Sequence, residues 1–272
     1  MSLKHQTIKI PTSHGLLKCI VLTPKQVTDP LPGILWIHGG GYMTGMSEMV
    51  YVSRAKEIAE TYGAIVVSPN YTLSYKAPYP AALKDCYKAL VWMVKHADEL
   101  HIRTDQIIVG GESAGGGLCA ALCMLARDLG NINIAFQLPL YPMIDCDKTE
   151  SNQNNHGYIW NTRRNNTAWK VYLRGVRHIN EYASPARRVD YSNLPPCYTF
   201  VTTGEPFYSE TIDYVNHLQQ AGIDASLDIY EGKMHAFDLI LPMTPKAKKA
   251  RKKLLEVYGS MVKKYFVPQA ND

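Results

Sequence analysis

The sequence has no apolar run long enough to cross a bilayer, which takes about 20 residues. Residues 1–10 hold no apolar signal-peptide core. Both absences predict a chain without a membrane span, expected in the cytoplasm. Cysteine is scarce and unpatterned. The six, Cys19, Cys86, Cys119, Cys123, Cys146 and Cys197, form no C-x-x-C pair. Most fall in apolar strand or helix patterns, which predicts buried free thiols in a reducing compartment. Cys119 and Cys123 stand four apart on one helix face, but no histidines follow at metal-site spacing, so core packing is expected there and no metal. The glycines include no Gly-Lys-Ser/Thr and no well-formed G-x-G-x-x-G after a suitable strand, which excludes the common phosphate cradles. No internal repeat and no linker interrupts the chain, so one domain over 1–272 is expected. Neither sign of charge dominates: 29 basic and 24 acidic residues leave +5. Six basic residues crowd between Lys246 and Lys253, ahead of Leu254, Leu255, Tyr258, Met261, Val262 and Tyr265 at helical spacing. That pattern reads as the solvated end of a C-terminal helix docked on the core, not as a nucleic-acid patch.

What the sequence does contain is an alternation of short apolar runs and amphipathic stretches. A hydrophobic content of 46% and a charged content of 19% suit a globular protein of this length. Residues 6–10 and 16–23 read as two strands around a turn at Ser13-His14-Gly15. Residues 33–37 form a third strand, 48–62 a helix and 64–68 a buried strand. From 81 to 100, Ala82, Cys86, Ala89, Met93, Ala97 and Leu100 recur at three- and four-residue intervals and mark one amphipathic helix. Strands follow at 106–109, 132–138, 195–201 and 225–230, the last two separated by a helix with Tyr208, Ile212, Val215 and Leu218 on one face. This order predicts an α/β fold: a mostly parallel eight-stranded sheet, an antiparallel leading edge, and helices on both faces. The exception is 146–188, polar and asparagine-rich, with Tyr158, Trp160, Trp169 and Tyr172 set in it. It is long for a plain connection and reads as a small lid-like insertion over the sheet's carboxyl edge, where ligands bind in such folds.

The chemistry concentrates in Ile107-Ile108-Val109-Gly110-Gly111-Glu112-Ser113-Ala114-Gly115-Gly116-Gly117. A β-branched run ends in glycines, and an Ala-, Leu- and Cys-rich helical segment follows. The spacing Gly111-x-Ser113-x-Gly115 is that of a nucleophile elbow, in which serine takes a strained backbone angle and glycines on either side remove side chains that would collide. Such a serine needs a base, an orienting acid and an anion-stabilising pocket. Of nine histidines, only His235 lies in a loop directly after the last predicted strand, where it can reach the elbow. The preceding strand ends at Gly204. Glu205 is first in line as the acid and Glu210 second, although Glu210 also suits the first turn of the next helix, as a surface charge favouring the dipole. The chain order is then Ser, acid, His. His38-Gly39-Gly40-Gly41 follows another strand, and its glycines leave N–H groups unobstructed. Gly40 and Gly41, with the amide of Ala114, would hold an oxyanion, leaving His38 as scaffold.

Together, His38-Gly39-Gly40-Gly41 and Gly111-Glu112-Ser113-Ala114-Gly115-Gly116 resemble the two signatures of the hormone-sensitive-lipase-like family of α/β-hydrolase esterases. Tyr79-Pro80-Ala81-Ala82-Leu83-Lys84-Asp85, Tyr182-Ala183-Ser184-Pro185, Leu194-Pro195-Pro196 and Tyr230-Glu231-Gly232-Lys233-Met234-His235-Ala236-Phe237 agree with it. The resemblance implies an α/β-hydrolase fold and a serine carboxylesterase with Ser113 as nucleophile, His235 as base and Glu205 as acid, needing no metal and no cofactor and acting on a small-molecule ester through an acyl-enzyme. Three features depart from the pattern. Glu205-Pro206-Phe207 stands where the family usually has Asp-Pro-Leu. Asn70-Tyr71-Thr72-Leu73-Ser74 lacks the arginine common after that tyrosine. Only 37 residues precede His38, whereas many members carry a longer N-terminal segment that forms part of a cap. With 146–188 as the main cover, acyl chains of roughly two to six carbons are expected, since a polar cover offers a longer chain little of the ~0.8 kcal/mol per buried methylene. Two other readings compete: a deacetylase of sugars or xylan, with Trp160, Trp169 and the asparagines facing the sugar, and a hydrolase-fold protein that binds a ligand without catalysis. The oligomeric state stays open.

Overall fold

The computed structural model describes residues 1–12 and 15–269. Eight strands and eight α-helices alternate along it. The strands are β1 (Leu3–Thr12), β2 (Gly15–Pro24), β3 (Leu31–Ile37), β4 (Ile65–Pro69), β5 (Ile102–Glu112), β6 (Phe136–Leu140), β7 (Cys197–Thr202) and β8 (Ala225–Tyr230). The helices are α1 (Arg54–Tyr62), α2 (Ala81–Lys95), α3 (Ala97–Leu100), α4 (Ala114–Leu129), α5 (Thr162–Tyr172), α6 (Tyr208–Gln220), α7 (Phe237–Ile240) and α8 (Pro245–Lys264). The strands form one sheet in the order β1-β2-β4-β3-β5-β6-β7-β8. β1 and β2 pair antiparallel, as do β2 and β4, and every later pair is parallel. This is the expected α/β-hydrolase sheet with its antiparallel leading edge. The turn at Ser13-His14 lies outside the described residues.

Strand residues alternate between two cores because successive side chains point to opposite faces. Leu35, Ile37, Val67, Ile107 and Val109 pack with Ala82, Cys86 and Leu90 of α2 and Leu118 and Leu122 of α4. Ile34, Trp36, Val66 and Ile108 pack with Ile58 and Ala59 of α1 and Leu254 and Tyr258 of α8. Helices thus cover both faces, each fully buried large aliphatic side chain contributing about 1.5–3 kcal/mol. All six cysteines are free, and only Cys146 is not fully buried. Among the described residues no helix is long and apolar enough to cross a membrane.

Several boundaries differ from the sequence expectations. The helix expected over 48–62 is a 3-10 turn, Ser47–Val52, followed by α1. Ser53 separates them in extended backbone, its hydroxyl donating to the Val50 carbonyl at 2.9 Å. The helix expected over 81–100 breaks at His96, whose ring nitrogen bonds the Trp92 carbonyl. The strand placed at 132–138 runs instead over Phe136–Leu140, because Ile132 and Ile134 approach the sheet without pairing to it. The buried face of α6 is Glu210, Thr211, Tyr214, Val215 and Leu218, so Tyr208 and Ile212 lie at its margin. The basic cluster opens α8, as expected. Three of its members have specific partners: Lys246 Nζ donates to the Glu231 carbonyl at 2.7 Å, Arg251 pairs with Glu57, and Lys252 lies 3.8 Å from Glu256.

The carboxyl ends of β3, β5, β6, β7 and β8 emerge on one edge. Each leads directly into a segment singled out from the sequence: the glycine loop, the elbow, the connection to β7, the Glu205 turn and the His235 loop. Within the connection between β6 and β7 lie α5 and a 3-10 turn, Pro185–Arg187.

Candidate active site

Ser113 sits between β5 and α4 with φ 57° and ψ −119°. A non-glycine residue held there stores about 1–3 kcal/mol, and backbone contacts enforce it. Its N–H donates to the Leu140 carbonyl at 3.0 Å, and its own carbonyl accepts from Met143 and Gly117 at 3.0 Å each. The flanking glycines are required by the main chain. A Cβ at Gly115 would lie 2.0 Å from the Ile37 carbonyl oxygen, and one at Gly111 would lie 2.5 Å from that of Gly115.

The serine meets the predicted base. Ser113 Oγ stands 2.9 Å from His235 Nε2, the hydroxyl donating. On the far side of the ring, His235 Nδ1–H donates to Glu205 Oε2 in a short bond. Glu205 is fully buried, and its other oxygen accepts from the Thr202 N–H at 2.7 Å and the Thr202 hydroxyl at 3.0 Å. Three donors to one buried carboxylate fix its orientation. The turn carrying Glu205 is tied to the loop carrying His235: Gly204 N–H donates to the Gly232 carbonyl at 2.7 Å, and the Thr202 hydroxyl also reaches the Met234 carbonyl at 3.3 Å.

The glycine loop lies against the nucleophile, since a Cβ at Gly39 would stand 3.3 Å from Ser113 Cβ. Gly40 and Gly41 take φ of 119° and 60°, angles that suit glycine. The Gly40 carbonyl is turned into its own loop, where Met43 N–H, Thr44 N–H and the Thr44 hydroxyl donate to it at 3.0–3.1 Å. Among the described residues no protein acceptor takes the N–H of Gly40, Gly41 or Ala114. Ala114 begins α4, whose dipole puts partial positive charge at this point. Such a set of free donors suits a developing oxyanion. His38 is buried beneath the loop, stacked on Tyr71 at 4.2 Å, with Nδ1–H donating to the Gly39 carbonyl at 2.8 Å. Burial holds its pKa down at about 4, so it is neutral and structural.

Glu210 departs from expectation. It does open α6, but it is not a surface charge: it is buried, and its Oε1 accepts from the N–H groups of Ile144 and Asp145 at 2.8 and 3.2 Å. It braces the chain leaving β6, and burial pushes its pKa well up.

Several residues around this site had no role in the sequence reading, and Trp160 had one only in the sugar alternative. Tyr141 and Phe207 set ring edges against the His235 imidazole at 5.1 and 5.0 Å. Trp160, from the insertion, stands 6.5 Å from the same ring and presses on Gly41, where a Cβ would meet it at 2.2 Å. Below, buried Arg54 Nε pairs with buried Asp238 Oδ2 at 3.3 Å, anchoring the chain three residues beyond His235 to α1. Glu112, beside the nucleophile, accepts from Trp36 Nε1 at 2.7 Å, and burial followed by the nearby Asp238 raises its pKa to about 8. Nothing local in the sequence links Arg54 to Asp238, because their proximity depends on how α1 and α7 dock. Glu112 lies inside the motif, but its burial is set by Trp36 across the sheet.

Of the four aromatics in the insertion, Trp169 and Tyr172 are core residues packed on Tyr42, Tyr158 is exposed, and only Trp160 faces the site. The asparagines mostly hold the insertion together. Asn152 and Asn155 bond to the neighbouring backbone, Asn161 caps α5, and Asn165 accepts from Trp160 Nε1 at 3.2 Å.

A profile of the alpha/beta hydrolase fold matches residues 34–239. Carboxylesterase NlhH of Mycobacterium tuberculosis is 31% identical over 237 residues, spanning 84% of this chain and 74% of that protein. The arylesterase of Saccharolobus solfataricus is 30% identical over 209 residues, 75% of this chain and 67% of its own. Among solved structures, a bacterial heroin esterase superposes with a TM-score of 0.87 at 31% identity, covering 94% of this chain and 82% of that one. With its elbow, its glycine loop and most of its length matched in this way, the chain belongs to the α/β-hydrolase family, in the hormone-sensitive-lipase-like esterase branch that its two motifs resemble.

Proposed function

We propose that this chain is a serine carboxylesterase in which Ser113, His235 and Glu205 act as nucleophile, base and acid. The observation that carries the assignment is the continuous bonding from Ser113 Oγ through the His235 ring to Glu205. Ser113 Oγ attacks the ester carbonyl while His235 Nε2 takes its proton. Glu205 keeps the imidazole in the tautomer that can accept that proton and stabilises the imidazolium. The N–H groups of Gly40, Gly41 and Ala114 hold the oxyanion. The imidazolium then protonates the leaving alcohol, and a water activated by the same histidine releases the acid from Ser113. This sequence needs no metal or cofactor. NlhH and the heroin esterase are named for the same reaction class, which supports it.

The chain acts as one hydrolase domain with 146–188 as its lid. Short acyl groups are the expected substrates. The cavity beside Gly40 has an apolar wall in Trp160 and Met43 and is closed by Thr44, Asn161, Arg163, Arg164 and Thr167. Six free thiols support residence in a reducing cytoplasm. Sugar deacetylation is the weaker reading, because the asparagines it would use are spent on the insertion's own hydrogen bonds. A fluorophosphonate should label Ser113 and abolish turnover of 4-nitrophenyl acetate. Labelling that proceeds equally fast in His235→Ala would mean that another base activates the serine.

A further inference from the structure

Beside the glycine loop the surface opens into a cavity of about 570 Å³. Gly40, Met43 and Thr44 form one wall, and Trp160, Arg163 and Arg164 the other, at the start of α5. None of the lining residues is acidic. Arg164 is anchored, Nη1 donating to the Tyr158 carbonyl at 2.8 Å and to that of Ile159. Arg163 is exposed, its carbonyl accepts from the Thr167 hydroxyl at 2.9 Å, and among the described residues its guanidinium makes no hydrogen bond and no ion pair. Its charge is uncommitted at the mouth of the cavity that reaches the oxyanion loop.

The wider segment has the same character. Residues 151–180 hold Arg163, Arg164, Lys170, Arg174 and Arg177 and no aspartate or glutamate. The whole chain has 29 basic and 24 acidic residues, so this one stretch accounts for its entire +5 and the remainder is balanced. It is one of two basic stretches in the chain, the other being 246–253 in α8, and it is the one whose Arg163 and Arg164 line the cavity. A cleft lined by one sign of charge focuses the field and raises the local concentration of ligands of the other sign.

We infer that the esters preferred by this site carry an anionic group, a carboxylate in the simplest case, held at the cavity mouth by Arg163 with the field of Arg164 behind it. This rests on the esterase reading and adds the charge of the substrate to it. The ester carbonyl sits at Ser113 and the Gly40 and Gly41 amides. Trp160 covers the short apolar part next to it, and the anion emerges at the arginines. The carboxylate can belong to the acyl part, as in a dicarboxylic acid monoester, or to the alcohol part, as in an acylated hydroxy acid.

Two pairs of esters distinguish these sources. The acyl side is tested by 4-nitrophenyl hydrogen glutarate against 4-nitrophenyl pentanoate. The alcohol side is tested by 4-acetoxybenzoate against its methyl ester. For each pair, the ratio of kcat/KM for the anionic to the neutral ester is measured in the wild type, Arg163→Ala and Arg163→Glu; comparing variants cancels the esters' intrinsic reactivity. In at least one pair the ratio should fall about fivefold in Arg163→Ala, the size expected for an exposed ion pair, and further in Arg163→Glu. The wild-type ratio should also shrink as salt rises from 0.05 to 0.5 M, where screening shortens from about 14 to about 4 Å. Ratios unchanged within twofold in both pairs, for both variants, overturn the inference while leaving the esterase intact. A wild type that hydrolyses no ester of either pair and is not labelled at Ser113 by a fluorophosphonate overturns the esterase reading itself, and this inference with it.

Discussion

The elbow and the insertion face each other across the same site and are built by opposite means. Around Ser113 the geometry is fixed by main chain pressed on main chain, and side chains are excluded. A Cβ at Gly115, Gly111 or Gly117 would lie 2.0–2.5 Å from a backbone carbonyl oxygen. Around Trp160 the backbone is held apart from the sheet, and polar side chains give the segment its shape. The Thr162 hydroxyl donates to the Asn152 carbonyl at 2.5 Å and accepts from the Asn155 N–H at 2.7 Å, while Asn155 reaches the carbonyls of Ser151 and Gly204 at 3.1 Å. The first construction tolerates no added atom. The second can lose one bond and keep the rest.

The largest expected effect tests the fixed half. Ser113→Ala should lower turnover of 4-nitrophenyl acetate by about 10⁶-fold, as in other triads whose members act as a unit, while the thermal melt stays within a few degrees of wild type. Substantial residual turnover in that variant would move the reaction elsewhere.

The two buried glutamates after β7 sharpen the comparison, because they are alike in burial and differ in what they hold. Glu205→Gln should cost on the order of 10²–10⁴ in kcat, since the amide permits the wrong imidazole tautomer. Glu210→Gln should change kcat by less than about tenfold but lower stability by about 1–3 kcal/mol, because Glu210 braces backbone donors and not the base. Kinetics and urea melts on both variants decide this. A crippled Glu210→Gln with a normal melt would reassign the acid.

Gly115→Ala should destabilise the fold by about 3 kcal/mol or more, as an added methyl group meets backbone that cannot move aside. A variant that melts like wild type would show that the elbow has slack. Next is His38. Burial depresses its pKa from 6.5 to about 4, so the unfolded chain takes up a proton that the folded one refuses. Stability from this source is complete above about pH 6.5 and declines toward pH 4, by up to about 3 kcal/mol. The slope of melting temperature against pH across that window should be smaller in His38→Gln than in wild type. The smallest effect belongs to the insertion. Thr162→Val removes its hydroxyl bonds and should cost about 1–2 kcal/mol, raising KM more than it lowers kcat. An equal fall in kcat would mean that the insertion helps align the triad.

The same contrast explains what could be read from the sequence. Glycines at fixed spacing around Ser113 and after His38 have few reasons to exist other than close backbone approach, so the elbow and the loop were legible, as were the strands that carry them. His235 and Glu205 were legible because a sheet of this kind delivers the loops after its strands to one edge. The insertion was legible as a segment but not in its detail. Trp160 and Trp169 look alike in sequence, yet one covers the site and the other packs on Tyr42. Glu210 was misjudged because a carboxylate in a first helical turn is usually solvated, whereas here α6 docks that turn under the chain leaving β6. The Arg54–Asp238 pair depends on tertiary docking and left no local trace.

The hydrogen bond between Ser113 and His235 joins residues 122 positions apart. Chains are made from the N-terminus at about 5–20 residues per second, and domains tend to fold as they emerge. A growing chain that has extended through β6 already contains the nucleophile and the glycine loop but has not yet acquired the histidine. It gains its base only when β8 adds to the sheet's far edge and the Gly204–Gly232 bond closes. On the proposed triad, the base therefore arrives with the loop after the last strand, some six to twenty-four seconds of synthesis after the serine at that rate. A copy that ends before His235 would, on that triad, lack its base.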